Sequence, residues 1–235
     1  MAGKFIRGAL IEFMPTFLIP LPNVIVFQFN PETIRHSWTP AAAAPAAGLA
    51  LGTAGSNPLA VKGMPGESFS FTLAMDANDQ IAEGNPIAIA SGIYSRLAAL
   101  EMLMYPTGAG SLGGASAALV GAVSSAAGGS SSVQTTVPAS QVPTVLFIWG
   151  PGRIVPVRVN GLSITEKLYD PLLNPTYAEA QLDLKVLTPD ELAVVTGPLA
   201  GIAKAAYAYS QGLRQVLAVA NLANAVESII GMIPM

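Results

Sequence analysis

"GESFSFTLAMD", Gly66 to Asp76, alternates without a break. Phe69, Phe71 and Leu73 fall on one side, and Ser68, Ser70 and Thr72 on the other. That period of two is the mark of a half-buried β-strand. The same alternation recurs in "TYAEAQLDLKVL", where Ala180, Leu182, Leu184 and Val186 oppose Glu179, Gln181, Asp183 and Lys185. "PTVLFIWG" and "RIVPVRVNGLSITEKLYD" read as two more strands around a Pro151-Gly152 turn, with Gly161 as a further turn or a bulge. Towards the N-terminus, "ALIEFM" and "PNVIVFQF" are strands rich in β-branched and aromatic residues. "TIRHSW" resumes the alternation after Asn30-Pro31, with Ile34, His36 and Trp38 on one face. Proline has no N–H for a sheet, and the residue before it is driven to extended geometry.

Between these strands the period changes. "NPIAIASGIYSRLAALEMLMYP" places Ile89, Ile93, Leu97, Leu100 and Met104 three and four apart, an amphipathic helix ending before Pro106. About seven strands on either side of one helix predict a mainly β, α+β domain. It is an antiparallel barrel or sandwich with one packed helix, over residues 1–190. Ala/Gly-rich inserts interrupt it at about 40–61 and 107–141. Residues 191–235 form a helical extension. Thr188-Pro189-Asp190-Glu191 opens a short capped helix, and a longer helix runs from about Leu199 to Ile230. Its apolar stripe is Leu199, Ile202, Ala206, Tyr209, Leu213, Val216 and Ala220, with Leu217, Leu222 and Val226 apolar outside it. A helix apolar on more than one face is buried on more than one face.

Of 235 residues, 51% are hydrophobic and only 11% charged, against about 25% charged in an ordinary soluble domain. Such a shortage points to surface hidden in an assembly or a membrane. The net charge of −3, without a basic patch, speaks against nucleic acid. There is no cysteine, which excludes disulfides, thiolate chemistry and cysteine-based zinc sites. His36 is the only histidine, and zinc sites usually gather three or four ligands.

No catalytic, metal or cofactor pattern emerges. The glycines Gly108, Gly110 and Gly113 have a G-x-G-x-x-G spacing but follow a helix, with no acidic residue until Glu166. Asp76, Asp79 and Glu83 lack the spacing of a calcium loop, and one histidine gives no serine triad a base. Lys4 and Arg7 precede an apolar stretch that Glu12 and Pro15 interrupt, so no signal peptide is expected. The alternative is a membrane-active protein using the C-terminal helix, although Lys204, Arg214 and Glu227 break its apolar run.

Three stretches in order carry a family resemblance: Phe27, Phe29, Asn30, Pro31 and Glu32 after a strand; Leu97, Leu100, Glu101, Tyr105 and Pro106 on a helix; and Asn174, Pro175, Ala178, Glu179, Leu182 and Leu184 leading a strand. Together they resemble the tube-protein N-terminal domain of contractile injection systems, phage-tail-like particles that drive a spiked tube through a cell envelope. The resemblance covers most of residues 5 to 190. It implies a tube-protein-like body and a structural baseplate role. Six copies would form an adaptor ring joining a trimeric spike to the inner tube beside the wedge proteins, in a particle assembled in the bacterial cytoplasm and then kept or released. Family members often carry a C-terminal LysM module, and none follows Glu191 here. Under the resemblance, Asn30-Pro31 and Asn174-Pro175 shape strand junctions in a ring subunit, with Glu32 and Glu179 as polar partners across a joint. The alternative is plain turns without intersubunit contact. Leu199, Ile202, Leu213 and Val216 are the assembly candidates on the long helix.

Overall fold

The computed structural model describes residues 5–14, 21–43, 59–105, 142–195 and 200–232. Most of the first insert, all of the second, the glycines Gly108, Gly110 and Gly113 in it, and Leu199 lie outside these residues. The strands are β1 (Ala9–Met14), β2 (Leu21–Val26), β3 (Ile34–Thr39), β4 (Ala42–Ala43), β5 (Val61–Lys62), β6 (Gly66–Asp76), β7 (Val145–Ile148), β8 (Ile154–Glu166) and β9 (Tyr177–Val186). The helices are α1 (Asn78–Ala82), α2 (Pro86–Ser91), α3 (Tyr94–Met102), α4 (Pro189–Ala193) and α5 (Ala200–Met232).

Seven strands form one antiparallel sheet in the order β2-β1-β7-β8-β9-β6-β3. The expected alternation in β6 is realised: Phe69, Phe71, Leu73 and Met75 are buried. Across from them Leu182, Leu184, Val157, Val159 and Phe147 fill the same face, and Ile93, Leu97 and Leu100 close it from the helical side. Gly161 is a bulge within β8 and not a turn, since the register with β9 shifts between Val159 and Gly161. Ala42–Ala43 pairs with Val61–Lys62, so the base of the first insert is a two-stranded ladder rather than loop.

β2 and β3 are consecutive in the chain yet lie at opposite edges of the sheet. Seven flat strands would set those edges roughly 29 Å apart. The linking residues, 27–33, reach about 28 Å only when fully stretched, and the chain bends within them. The sheet therefore curls. Phe27 sits inside the curl, 2% exposed, with ring centroids 5.6 Å from Phe71 and 6.4 Å from Trp149. Among the described residues the backbone ladder itself stays open, because β2 and β3 do not pair.

The single packed helix expected over 85–105 is instead two, α2 and α3, broken at Gly92, with α1 preceding them. Gly92 has φ +56 and ψ −127, so the chain changes direction there. Ile93, Leu97 and Leu100 keep the expected buried stripe, but Ile89 is exposed because α2 does not continue the axis of α3, and Met104 is exposed because α3 ends at Met102. Asn85 caps α2 through Ile87 N and Ala88 N, and Thr188 and Glu191 form the expected capping box on α4.

Candidate assembly surface

Asn30 ties the β2–β3 link to the segment that leads into β1. Its Oδ1 accepts from Gly8 N–H at 3.0 Å, and its Nδ2 donates to the Ile6 carbonyl at 2.9 Å. Of its neighbours, Phe27 belongs to the core, Phe29 is half exposed, Pro31 is partly covered and Glu32 points to solvent. This junction thus ties residues 6–8 to the link that follows β2.

Asn174 organises a second junction, between β8 and β9. Asp170 Oδ1 accepts from Leu172 N–H and Asn174 N–H, each at 2.8 Å, and Asn174 Nδ2 donates to Asp170 Oδ2 at 2.8 Å. These bonds, the Asn174 side chain first, hold the Asp170 carboxyl below its ordinary 3.8. Asn174 Nδ2 also reaches the Ala90 carbonyl at 3.3 Å, and the buried Pro175 accepts from Ile93 N–H at 2.9 Å. The junction is thereby docked on α2 and α3. A Cβ on Gly92 would sit 2.1 Å from the Pro175 oxygen, so only glycine fits. At the loop tip Leu172 and Leu173 are exposed, and Leu173 has φ +65, unusual for a bulky side chain. Glu179 pairs within the chain with Lys167 at 2.5 Å. That bond lowers the Glu179 pKa and raises that of Lys167.

The long helix departs from the expected stripe. Ala203, Ala206 and Ser210 face the sheet, and Ala206 packs with Leu146, Ile11 and Ile154. Ile202, Tyr209 and Val216 are exposed, while Leu213 is half-buried beside Gly152. Small side chains line the contact because they let the helix lie close to β8. Polar groups then fasten it: Ser210 Oγ donates to the Ile154 carbonyl at 2.6 Å and accepts from Ile154 N–H at 3.3 Å, and Tyr209 Oη donates to the Pro151 carbonyl at 2.9 Å.

Arg214 adds a charged contact. Its two terminal nitrogens donate to both oxygens of Glu67, one at 2.8 Å, and its guanidinium lies 5.0 Å above the Trp38 ring. Glu67 is 5% exposed and also bonds His36 Nε2 at 2.8 Å. Three elements, β3, β6 and α5, thus meet at one buried carboxylate. Past Arg214 every described side chain of α5 is exposed, including Val216, Leu217, Val219 and Leu222, which point in four directions around the axis. Residues 215–232 extend about 27 Å at helical rise.

Sequence reading did not single out Glu67, and it named Arg214 only as a break in the apolar run of the long helix. The signal was phase: Glu67 shares the alternation of Phe69 and Phe71, and Arg214 follows Ala203, Ala206 and Ser210 at helical spacing. Among the described residues no three His, Asp or Glu side chains gather as metal ligands would. Among them, too, no helix is long and apolar enough to cross a membrane. Fold and surface define an antiparallel α+β domain bearing an anchored, projecting apolar helix. No protein-family model matches the chain, and no curated protein matches its sequence.

Proposed function

We propose that the chain is a structural, non-catalytic subunit of a contractile injection system baseplate. It forms an adaptor ring between the trimeric spike and the inner tube, six copies by the family resemblance, with wedge proteins alongside and no nucleic acid. The curled sheet, in this reading, is a tube-protein-like barrel, and the particle assembles in the bacterial cytoplasm. The observation that carries the reading is the α5 arm. It is fastened to the sheet by Arg214 and Ser210, then runs past it with Val216, Leu217, Val219 and Leu222 exposed on all sides. An arm with this many exposed apolar side chains is stable when neighbouring molecules bury it. The tied Asn30 and Asn174 junctions support the same role, because they hold strand ends rigid at a joint.

Quantitative mass spectrometry of sheathed particles from the source cell tests this. An adaptor is present at a copy number far below that of the main tube subunit. A copy number near the tube subunit's would make the chain a tube-building protein, and its absence from particles would end the reading.

A further inference from the structure

The open seam of the curled sheet holds a small cavity. On β6, Phe71 pairs with Ile34, and Asp76 N–H donates to Gln28 Oε1 at 3.0 Å. The chain's own link thus closes the bare stretch of β6 at both ends. Within it lies a cavity of about 340 Å³, bounded by β2, β6 and α3. Pockets for small ligands run from about 300 to 1,000 Å³, so the space is sized for one small molecule. Its floor is the core itself: Phe27, Leu73, Met75 and Leu100 are buried and line it.

Two kinds of polar group meet this apolar floor. Arg96 is partly buried on the cavity wall, and its Nη1 donates to Gln28 Oε1 at 2.5 Å. No described carboxylate lies within ion-pair distance of it, and neither Ala/Gly-rich insert contains an Asp or Glu. A guanidinium answered by a neutral amide gains from a carboxylate, through charge-assisted bonds. Asn23, further back along β2, also lines the cavity, but its Nδ2 is given to Glu12. The strand edges supply the second kind of group. Alternate residues of an antiparallel strand turn their N–H and C=O to opposite sides. Phe27 N–H bonds Gly8 towards β1, and Ala77 N–H bonds Thr176 towards β9. By that phase Val24, Val26 and Ala74, all on the cavity wall, turn their backbone groups away from β1 and β9 and towards the seam.

We infer that this cavity binds a small apolar acid that also carries an amide, of the class of N-acylated branched amino acids. The carboxylate meets Arg96, the apolar side chain covers the floor and the amide answers the bare strand edges. A plain alkyl chain would leave the edge groups without partners. An inorganic anion would leave the apolar floor uncovered. This site is independent of the adaptor role and is read without any particle.

The test titrates the isotope-labelled full chain with N-acetyl-leucine and follows backbone amides by NMR. Saturable shifts are expected at Val24, Val26, Ala74 and Arg96, with a Kd of about 1 mM or tighter. N-acetyl-leucinamide lacks the charge and N-acetylglycine lacks the apolar side chain. Each should bind at least about 10-fold more weakly. Arg96→Gln, checked for an unchanged melting profile, should bring the acid down to the level of the leucinamide. The comparison of acid with leucinamide in the unaltered chain does not depend on that variant folding. Failure of those four amides to move at the highest acid concentration overturns the proposal. So does equal binding of the acid and either control, or a folded Arg96→Gln chain that still prefers the acid.

Discussion

Arg214 on α5 and Glu67 at the start of β6, 147 residues apart, form a two-pronged ion pair in which Glu67 is almost fully buried. A buried pair of this kind is poor evidence of added stability, but breaking one half is costly because the buried Glu67 is then left with His36 alone. Arg214→Ala should therefore destabilise the domain by about 3 kcal/mol, a fall in melting temperature of roughly 6–12 °C at this chain length. Adding Glu67→Gln should recover part of the loss. Strictly additive melting shifts in the double variant would show that the two side chains do not act as a pair.

Two truncations separate the anchored from the projecting part of α5. Ending the chain after Gln215 keeps Ala203, Ala206, Ser210 and Arg214 in place, and stability should change by no more than about 0.5 kcal/mol. Ending it after Pro198 uncovers Leu146 and leaves Glu67 without Arg214, so that form should melt well below the full chain. Both should fail to enter particles. Normal particles built with the Gln215 truncation would remove the arm from the assembly role.

Gly92→Ala places a methyl group against the Pro175 carbonyl and asks an L-residue to hold φ +56. Strain and overlap together should cost about 3 kcal/mol or more. Calorimetry is the direct check, and the loop around Asn174 should exchange its amides faster in the variant. A melting temperature within a degree or so of the parent, when about 2–4 °C per kcal/mol is expected, would mean that this junction is softer than its geometry indicates.

Asn30→Ala and Asn174→Ala remove turn bonds worth roughly 0.5–1.5 kcal/mol each, a loss the fold should survive while particle formation suffers. Asn174→Ala has a second readout. The Asn174 side chain is the main cause that lowers the Asp170 pKa, so the variant's Asp170 should titrate closer to 3.8. With the folded pKa depressed, whatever stability Asp170 contributes is present above the unfolded value and fades as pH falls through the folded one. An Asp170 titration unchanged in the variant would assign the shift to the backbone bonds from Leu172 and Asn174.

Glu12 lies buried in β1 and accepts from Asn23 Nδ2 at 3.2 Å. Burial, only partly offset by that bond, raises its pKa above the ordinary 4.5. For an acid with a raised folded pKa, the folded state holds the proton longer than the unfolded chain does. Stability then falls as pH rises from 4.5 through the folded value. Glu12→Gln should remove that slope and stabilise the domain at pH 8 by about 1 kcal/mol. Melting curves across pH 4 to 8 check it, and a parent and variant that stay parallel would sink the assignment.

Local pattern carried the strands. In β6 every second side chain from Glu67 to Met75 is buried, because the pleat sends neighbours to opposite faces whatever the rest of the chain does. The capping box at Thr188 and Glu191 was legible for the same reason: its partners are three residues apart. The junction asparagines were visible as turn formers, but what they grip was not. Asn30 reaches back to Ile6 and Gly8, and Asn174 reaches Ala90.

Alternation and spacing alone thus determined that this chain is built of antiparallel strands with a long C-terminal helix. They are properties of a few consecutive residues. Only the tertiary structure decided which strands pair, because β2 and β3 adjoin in sequence yet end at opposite edges once the sheet curls around Phe27. It also decided which side of α5 is covered. Of the expected stripe, Ala206 is buried while Ile202, Tyr209 and Val216 are not, because close approach to Leu146 and Ile154 favours the small side chains of Ala203 and Ala206. Arg214, on the flank of that small face, then reaches the one carboxylate that β6 carries into its apolar face, and the bulkier Ile202, Tyr209 and Val216 are left exposed.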